Sequence, residues 1–270
     1  MGLETRLIKI KRTSGNFGSR SLILIPLLAL AIMCASAGIL AADEKLPSGE
    51  AVFDKYMKAT GGLEAHRKVH NLFMKGTFKM VQAGITASVT TYAAEPNLIY
   101  SKVESPVLGV IESGFNGEVA WEKSLMTGPR IKEGGESLDV QRDSIFQWEA
   151  RWREIYSKAE TMGVEPVNGK PCYQVKMTPK KTGSPVVLYF DRESYLIVKL
   201  ERAFATQRGS VSAEVFISDY RKIAGILGPF FTKTKFMGQE MIMTFESIEA
   251  NVKLPKDIFD LPKEIKALQK

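Results

Sequence analysis

Histidine and cysteine are scarce in this 270-residue sequence, which contains only two of each. Cys34 and Cys172 lie far apart and form no C-x-x-C pair. Zinc and iron–sulfur sites need several such ligands close together. His66 and His70 are four residues apart and could share a helix face, but two basic residues between them disfavour a bound cation. The sequence therefore predicts no metal site and no cofactor.

Catalytic signatures are missing as well. The sequence has no G-x-S-x-G nucleophile elbow, no H-E-x-x-H zinc motif and no S-x-x-K motif with its partner motifs. The segment from Gly163 to Lys170 resembles a phosphate-binding loop, but it is one residue too long and continues with Pro171 in place of Ser or Thr. We therefore predict that the protein is not an enzyme.

The net charge of +7 at pH 7 raises the question of nucleic-acid binding. Residues 1–42 contain five basic residues and one acidic residue, which leaves only +3 for the remaining chain. The lysine cluster at 176–181 lies at a turn and has no aromatic residues interleaved with it. The charge distribution therefore predicts no nucleic-acid partner.

Residues 1–41 have the pattern of an export signal peptide. Basic residues through Arg20 precede an apolar run at 22–33, and the small residues that follow offer two candidate cleavage sites. We predict cleavage between residues 37 and 42 and therefore a periplasmic or otherwise exported protein. Two alternatives stay open: an uncleaved membrane anchor, because the apolar stretch is nearly long enough to span a bilayer, and lipid attachment at Cys34.

Residues 42–270 are predicted to form a single domain that is mainly β with a few helices. Ser48 begins a predicted helix that ends at Gly61-Gly62. From residue 70 onward the apolar period changes to two, which is typical of half-buried strands, and turns such as Asn116-Gly117 join the strands into hairpins. A sheet of so many strands must curl, close or split. We predict a large curved antiparallel sheet that forms an unclosed half-barrel of about eleven strands.

One predicted helix and several strands could enclose a cavity on the concave face of this sheet. Residues 137–157 place two tryptophans on the apolar face of a predicted helix and Glu149 on its polar face, so that the helix could act as a lid. Phenylalanine and methionine recur on one side of the strands, and methionine adapts to variable apolar ligands. The alternative is that these side chains fill an ordinary core. The candidate cavity residues are Phe78, Met80, Trp148, Trp152, Met241, Met243 and Phe245.

Three stretches of the sequence resemble motifs of the LolA-like superfamily of periplasmic lipoprotein carriers. Residues 189–199 (YFDRESYLIVK) resemble its recurrent strand–turn–strand motif. The Asp-Tyr-Arg at 219–221, followed by Gly225 and Pro229-Phe230, resembles a second hairpin, and Phe115-Asn-Gly with Trp121 resembles a third. The resemblance covers residues 48–265 and implies an unclosed barrel with a helical lid and an apolar cavity.

The resemblance implies a periplasmic, non-enzymatic binding or carrier protein for lipids or lipoprotein acyl chains, with a role in outer-membrane lipoprotein sorting. An envelope-stress sensor or protein-interaction module on the same fold is the alternative. The implied partners are lipids or lipoprotein acyl chains and an inner- or outer-membrane protein, and the implied state is a monomer. In the lipoprotein carrier a cavity arginine helps to hold the lid shut, but no motif matches Arg142, Arg151 or Arg153 to that residue.

Overall fold

The computed structural model describes residues 45–181, 183–207 and 209–269. The predicted signal peptide, its cleavage site and Cys34 lie outside these residues. Within them, no helix is both long and apolar enough to cross a membrane.

The described chain contains thirteen strands and five short helices. The strands are β1 (Asn71–Met80), β2 (Ile85–Ala94), β3 (Leu98–Ser105), β4 (Gly109–Phe115), β5 (Ala120–Ser124), β6 (Gly128–Ile131), β7 (Tyr156–Val167), β8 (Lys170–Pro179), β9 (Val186–Asp191), β10 (Ile197–Thr206), β11 (Gly209–Ile223), β12 (Ile226–Phe236) and β13 (Gln239–Ala250). The helices are α1 (Gly49–Ala59), α2 (Leu63–Arg67), α3 (Gly134–Asp143), α4 (Trp152–Ile155) and α5 (Lys263–Lys266).

All thirteen strands belong to one antiparallel sheet with the order β6-β5-β4-β3-β2-β1-β13-β12-β11-β10-β9-β8-β7. Two meanders, β1–β6 and β7–β13, are joined by the pairing of β1 with β13. The terminal strands β6 and β7 do not pair with each other, so the sheet is open. This confirms the predicted open half-barrel covered by helices. The sheet has two strands more than the predicted number of about eleven.

Helix α1 begins where the sequence predicts. The Oγ of Ser48 accepts a hydrogen bond from the backbone N–H of Ala51 at 3.2 Å, which caps the helix. Phe53, on the apolar face of the helix, is completely buried. A Cβ on Gly49 would lie 2.5 Å from the backbone carbonyl of Ala159 in β7, so glycine is what allows α1 to lie so close to the sheet.

The prediction of a single helix over residues 137–157 is wrong. Two helices, α3 and α4, flank an irregular stretch, Ser144–Arg151, which we call the bridging segment. Gln147 has a left-handed backbone with φ of 50°, and the N–H of Phe146 donates to the carbonyl oxygen of Pro96 at 3.1 Å instead of to a helical partner. The chain leaves the helix because Phe146 is buried in one apolar cluster and the partly buried Trp148 packs against another.

Helices pack on both faces of the sheet and distinguish one face from the other. The large cluster around α1 includes Phe190 of β9 and contacts Ile217 of β11, and we call this the inner face. Directly opposed residues of antiparallel strands point to the same side. Pairing of Ile217 with Thr232, and of Thr232 with Met243, therefore carries the inner face across to β13. Helix α5 packs on the opposite, outer face, where Ile265 contacts Trp121.

Candidate binding site

Five of the predicted cavity residues lie together on the inner face. Phe78 is paired directly with Met243, and Met80 with Met241, across β1 and β13. Phe245 lies two residues further along β13, opposite Gly76. We call these five side chains (Phe78, Met80, Met241, Met243 and Phe245) the apolar strip.

Most of the apolar strip is incompletely covered by the described chain. Phe245 packs against the cluster that contains Phe146 of the bridging segment. The other four side chains are only partly buried and belong to none of the buried clusters formed by the described residues. Large apolar side chains in the middle of a sheet are usually buried by a second layer. The strip is therefore an apolar surface that the described residues cover only in part.

Trp148 and Trp152 lie in a different place, in the cluster around Phe53 of α1. The ring of Trp152 is 5.1 Å from that of Phe53, centroid to centroid, and the ring of Trp148 is 6.0 Å from it. Trp152 is buried, with 4% of its surface exposed. The guanidinium of Arg153 lies 4.3 Å from the Trp152 ring. The tryptophans therefore pack the bridging segment and α4 against α1, and are separate from the apolar strip.

A cavity of about 530 Å³ lies between helices α3 and α4 and the sheet. Phe115 lines this cavity. It lies on the inner face, because cross-strand pairs connect it through Ile99 and Ala93 to Leu72, which packs against the inner-face cluster around Phe146. The volume of the cavity falls within the usual range for small-ligand sites. The side chains that characterise its lining are apolar (Phe115, Leu138, Ile145, Ile155) and charged (Asp139, Arg142, Glu154, Lys180, Lys181). None of the seven predicted residues lines this cavity. Its walls come from several separate segments of the chain, and no sequence motif marks these segments as neighbours.

Helix α3 is fixed over the exposed edge of β10. The last pair between β9 and β10 is Val187 with Glu201, so the backbone groups of β10 beyond it need other partners. The carboxylate of Asp139 accepts a hydrogen bond from the N–H of Ala205 at 2.7 Å. Asp143 forms an ion pair with Arg202 at 2.5 Å. These contacts make α3 one wall of the cavity.

The three arginines considered from the sequence have different surroundings. Arg142 lines the cavity and pairs with Asp139 at 2.8 Å. Arg151 donates to the carbonyl oxygen of Pro96 at 3.1 Å. Arg153 donates to Asp54 of α1 at 3.1 Å. Only Arg142 of these three is positioned to contact a ligand in the cavity.

The bridging segment carries a carboxyl group into an apolar environment. Burial raises the pKa of Glu149 to about 7, although a hydrogen bond from the Tyr56 hydroxyl partly opposes this by favouring the carboxylate. Burial, and to a lesser extent the nearby Glu149, raises the pKa of Tyr220 of β11. The Tyr220 hydroxyl donates to the carbonyl oxygen of Ile197 at 2.8 Å. The predicted placement of Glu149 on a polar helix face is wrong, because the helix does not continue to this residue.

The two histidines contact protein groups. His66 is buried, with its Nε2 3.0 Å from the Oγ1 of Thr60 and its Nδ1 2.5 Å from the Oε1 of Gln147. His70 is exposed, and its Nδ1 lies 2.9 Å from the Oε1 of Glu95. His66 thus joins α1 and α2 to the bridging segment.

No protein-family model and no curated protein matches this sequence. Solved structures do match the fold. A DUF1329 family protein from Desulfovibrio piger aligns with a TM-score of 0.56 and 16% identity, over 83% of this chain and 100% of its own. A LolA superfamily protein from Nitrosomonas europaea aligns with a TM-score of 0.54 and 13% identity, over 80% of this chain and 99% of its own. A Vibrio parahaemolyticus domain described as an outer membrane lipoprotein-sorting protein aligns with a TM-score of 0.51 and 11% identity, over 78% and 96%. The chain therefore has the LolA-like fold.

Proposed function

We propose that this protein is a periplasmic, non-enzymatic binding or carrier protein for lipids or lipoprotein acyl chains, which lie along the apolar strip on the inner face. The observation that carries this proposal is the incomplete burial of Phe78, Met80, Met241 and Met243. An acyl chain laid across them would complete the second layer that the described part of the chain leaves open.

The dimensions and chemistry of the strip suit an acyl chain. From Met241 to Phe245 the strip extends four residues along β13, or about 13 Å at the usual rise of a strand. Each methylene group that leaves water stabilises the complex by about 0.8 kcal/mol. Contact with half a dozen methylenes would therefore contribute about 5 kcal/mol before the entropy of binding is subtracted. Methionine side chains can repack around chains of different length or unsaturation.

The cavity beside α3 has a lining that suits a ligand with one polar end. Its lining combines apolar side chains with the charged groups of Arg142, Lys180 and Lys181. The strip and Phe115 of the cavity lie on the same face of the sheet. An amphipathic molecule could thus find apolar and charged partners on one face.

The periplasmic location rests on the predicted signal peptide and on the fold. The signal pattern of residues 1–41 is typical of exported proteins. Solved proteins of this fold include one described as an outer membrane lipoprotein-sorting domain. A role in lipoprotein sorting is the corresponding proposal for this chain.

The test measures binding of a fluorescent fatty acid by the wild-type protein and by a Met241→Ser/Met243→Ser variant. Because both methionines are only partly buried, we expect the variant to fold and to bind at least tenfold more weakly. Ile242→Ser is the matched control, since Ile242 lies between the two methionines but points to the outer face, opposite Lys79 and Lys233. This variant should bind like the wild type.

Native mass spectrometry of protein recovered from a periplasmic extract provides a second measurement. A co-purified lipid that is lost from the double variant would support the proposal. Equal fatty-acid binding by the double variant and the Ile242→Ser control would contradict the strip as the site. A stable membrane-protein partner with neither bound lipid nor fatty-acid binding would support the sensor or interaction module instead.

A further inference from the structure

The four most exposed of the large hydrophobic side chains in the described residues all stand on hairpin turns. Val107, in the β3–β4 turn, has 72% of its surface exposed, and Met237, in the β12–β13 turn, has 76%. Leu125 and Met126 share the β5–β6 turn and are 84% and 80% exposed. Single exposed apolar residues are common. Their concentration on turns requires an explanation.

These turns lie side by side along one end of the sheet. Strands β6-β5-β4-β3-β2-β1-β13-β12 are consecutive neighbours and antiparallel, so the turns β5–β6, β3–β4, β1–β2 and β12–β13 all fall at the same end. A Cβ on Gly109, just after the β3–β4 turn, would lie 2.6 Å from the Cδ1 of Leu125, so these two turns touch. Val81 of the β1–β2 turn donates its N–H to the carbonyl oxygen of Glu240 at 2.9 Å. We call residues 81–84, 106–108, 125–127 and 237–238 the turn rim.

The turn rim itself contains no charged residue, although the β8–β9 turn, further along the same end of the sheet, contains Lys180 and Lys181, and three turns at the opposite end are charged as well. Glu95, Glu118 and the Arg192-Glu193 pair lie in the opposite β2–β3, β4–β5 and β9–β10 turns. Charged groups strongly disfavour contact with the apolar part of a bilayer. Neighbouring turns of the rim are separated by two strand spacings, about 10 Å. Uncharged apolar turns arranged along one end of a sheet can enter the soft surface of a bilayer.

The turn rim is also continuous with the apolar strip. Met80 is the last residue of β1 before the rim, and its partner Met241 is the third residue of β13 after it. Phe78 and Met243 form the next inward-facing pair. We propose that the turn rim docks on the surface of a lipid bilayer and that the strip receives a lipid chain from this end. The docking goes beyond the proposed function, while the transfer to the strip rests on it.

The first experiment places a fluorescent reporter on the rim of the full-length protein. The emission of a Met126→Trp variant should shift to the blue and be quenched by vesicles of phosphatidylethanolamine and phosphatidylglycerol with brominated acyl chains. Met162→Trp is the matched control, because Met162 is an exposed methionine (56%) on the edge strand β7, away from the rim. Its added tryptophan should not respond. Equal responses at both positions, or none at position 126, would overturn the docking.

The second experiment measures partition onto the same vesicles. Leu125→Ser/Met126→Ser should weaken partition about tenfold or more, because two apolar side chains no longer leave water on docking. Met162→Ser should match the wild type, and all variants share the same N-terminal segment. Unchanged partition of the double variant would also overturn the docking. The two proposals fail separately: a protein that binds fatty acid in solution without a rim response refutes only the docking, and a rim response without fatty-acid binding refutes only the ligand.

Discussion

Replacing Glu149 with glutamine should change how the stability of the fold depends on pH. The side chain lies among three tyrosines from three different elements, namely Tyr56 of α1, Tyr156 of β7 and Tyr220 of β11. Burial raises the pKa of the Glu149 carboxyl from 4.5 to about 7, and no cation among the described residues offsets this shift. Glutamine keeps the size of the side chain and a hydrogen-bonding oxygen, and it removes only the ionisation.

The direction and size of the effect follow from proton linkage. Below about pH 4.5 the carboxyl is protonated in both the folded and the unfolded chain, so its contribution to stability is fully present. As the pH rises toward 7, the unfolded chain loses this proton while the folded chain retains it, and the fold becomes less stable. Each pKa unit corresponds to about 1.4 kcal/mol. The pKa of about 7 therefore predicts a loss of up to about 3 kcal/mol, complete above pH 7.

Urea unfolding of the wild type and of Glu149→Gln, measured between about pH 5 and pH 8, tests this prediction. The free energy of unfolding of the wild type should fall relative to that of the variant as the pH rises, so that the variant is the more stable protein at pH 8. Glu246→Gln, at an exposed position of β13, should run parallel to the wild type. Parallel curves for Glu149→Gln and the wild type would refute the buried carboxyl and with it the packing of the bridging segment.

Two further predictions concern the sheet and the cavity wall. Gly76→Ala should destabilise the fold by about 1–3 kcal/mol in urea unfolding, because its Cβ would lie 2.2 Å from the carbonyl oxygen of Thr244. Gly163→Ala, whose Cβ would meet no atom within 4 Å, is its control, and an equal loss in both would contradict the steric argument. Asp143→Asn should speed amide hydrogen exchange in α3, because it weakens the ion pair with Arg202. It should lower global stability by less than about 1 kcal/mol, and unchanged exchange in α3 would show that Asp139 alone holds the helix.

Local signals explain why much of the fold could be predicted from the sequence. Ser48 caps α1 by a hydrogen bond within one turn, and such a cap needs no knowledge of distant residues. Asn168 and Gly169 have φ angles of 50° and 80°, as expected for the two central residues of a tight hairpin turn. Alternating polarity then placed Phe78 and Met80 on one face of their strand, and Met241, Met243 and Phe245 on one face of another.

The pairing of these two faces could not be predicted, because it depends on register. Residues 78 and 243 are far apart in sequence, and they meet only because the first strand of one meander pairs with the last strand of the other. A slip of one residue would turn every methionine of β13 to the outer face. The cavity wall is less predictable still, because α3 reaches it through a side-chain contact to the backbone of Ala205.

The bridging segment shows where a local pattern is misleading. Residues 137–157 have apolar side chains at helical spacing, yet Phe146 and Trp148 are drawn into clusters on different parts of the inner face. Gln147, between them, adopts a left-handed backbone conformation, and its Oε1 lies 2.5 Å from the Nδ1 of His66. A continuous helix would keep more backbone hydrogen bonds, but it could not place the rings of Phe146 and Trp148 in two different clusters. The same departure from the helix brings the Glu149 carboxyl into a poorly solvated position, so its raised pKa is a consequence of how the inner face is covered.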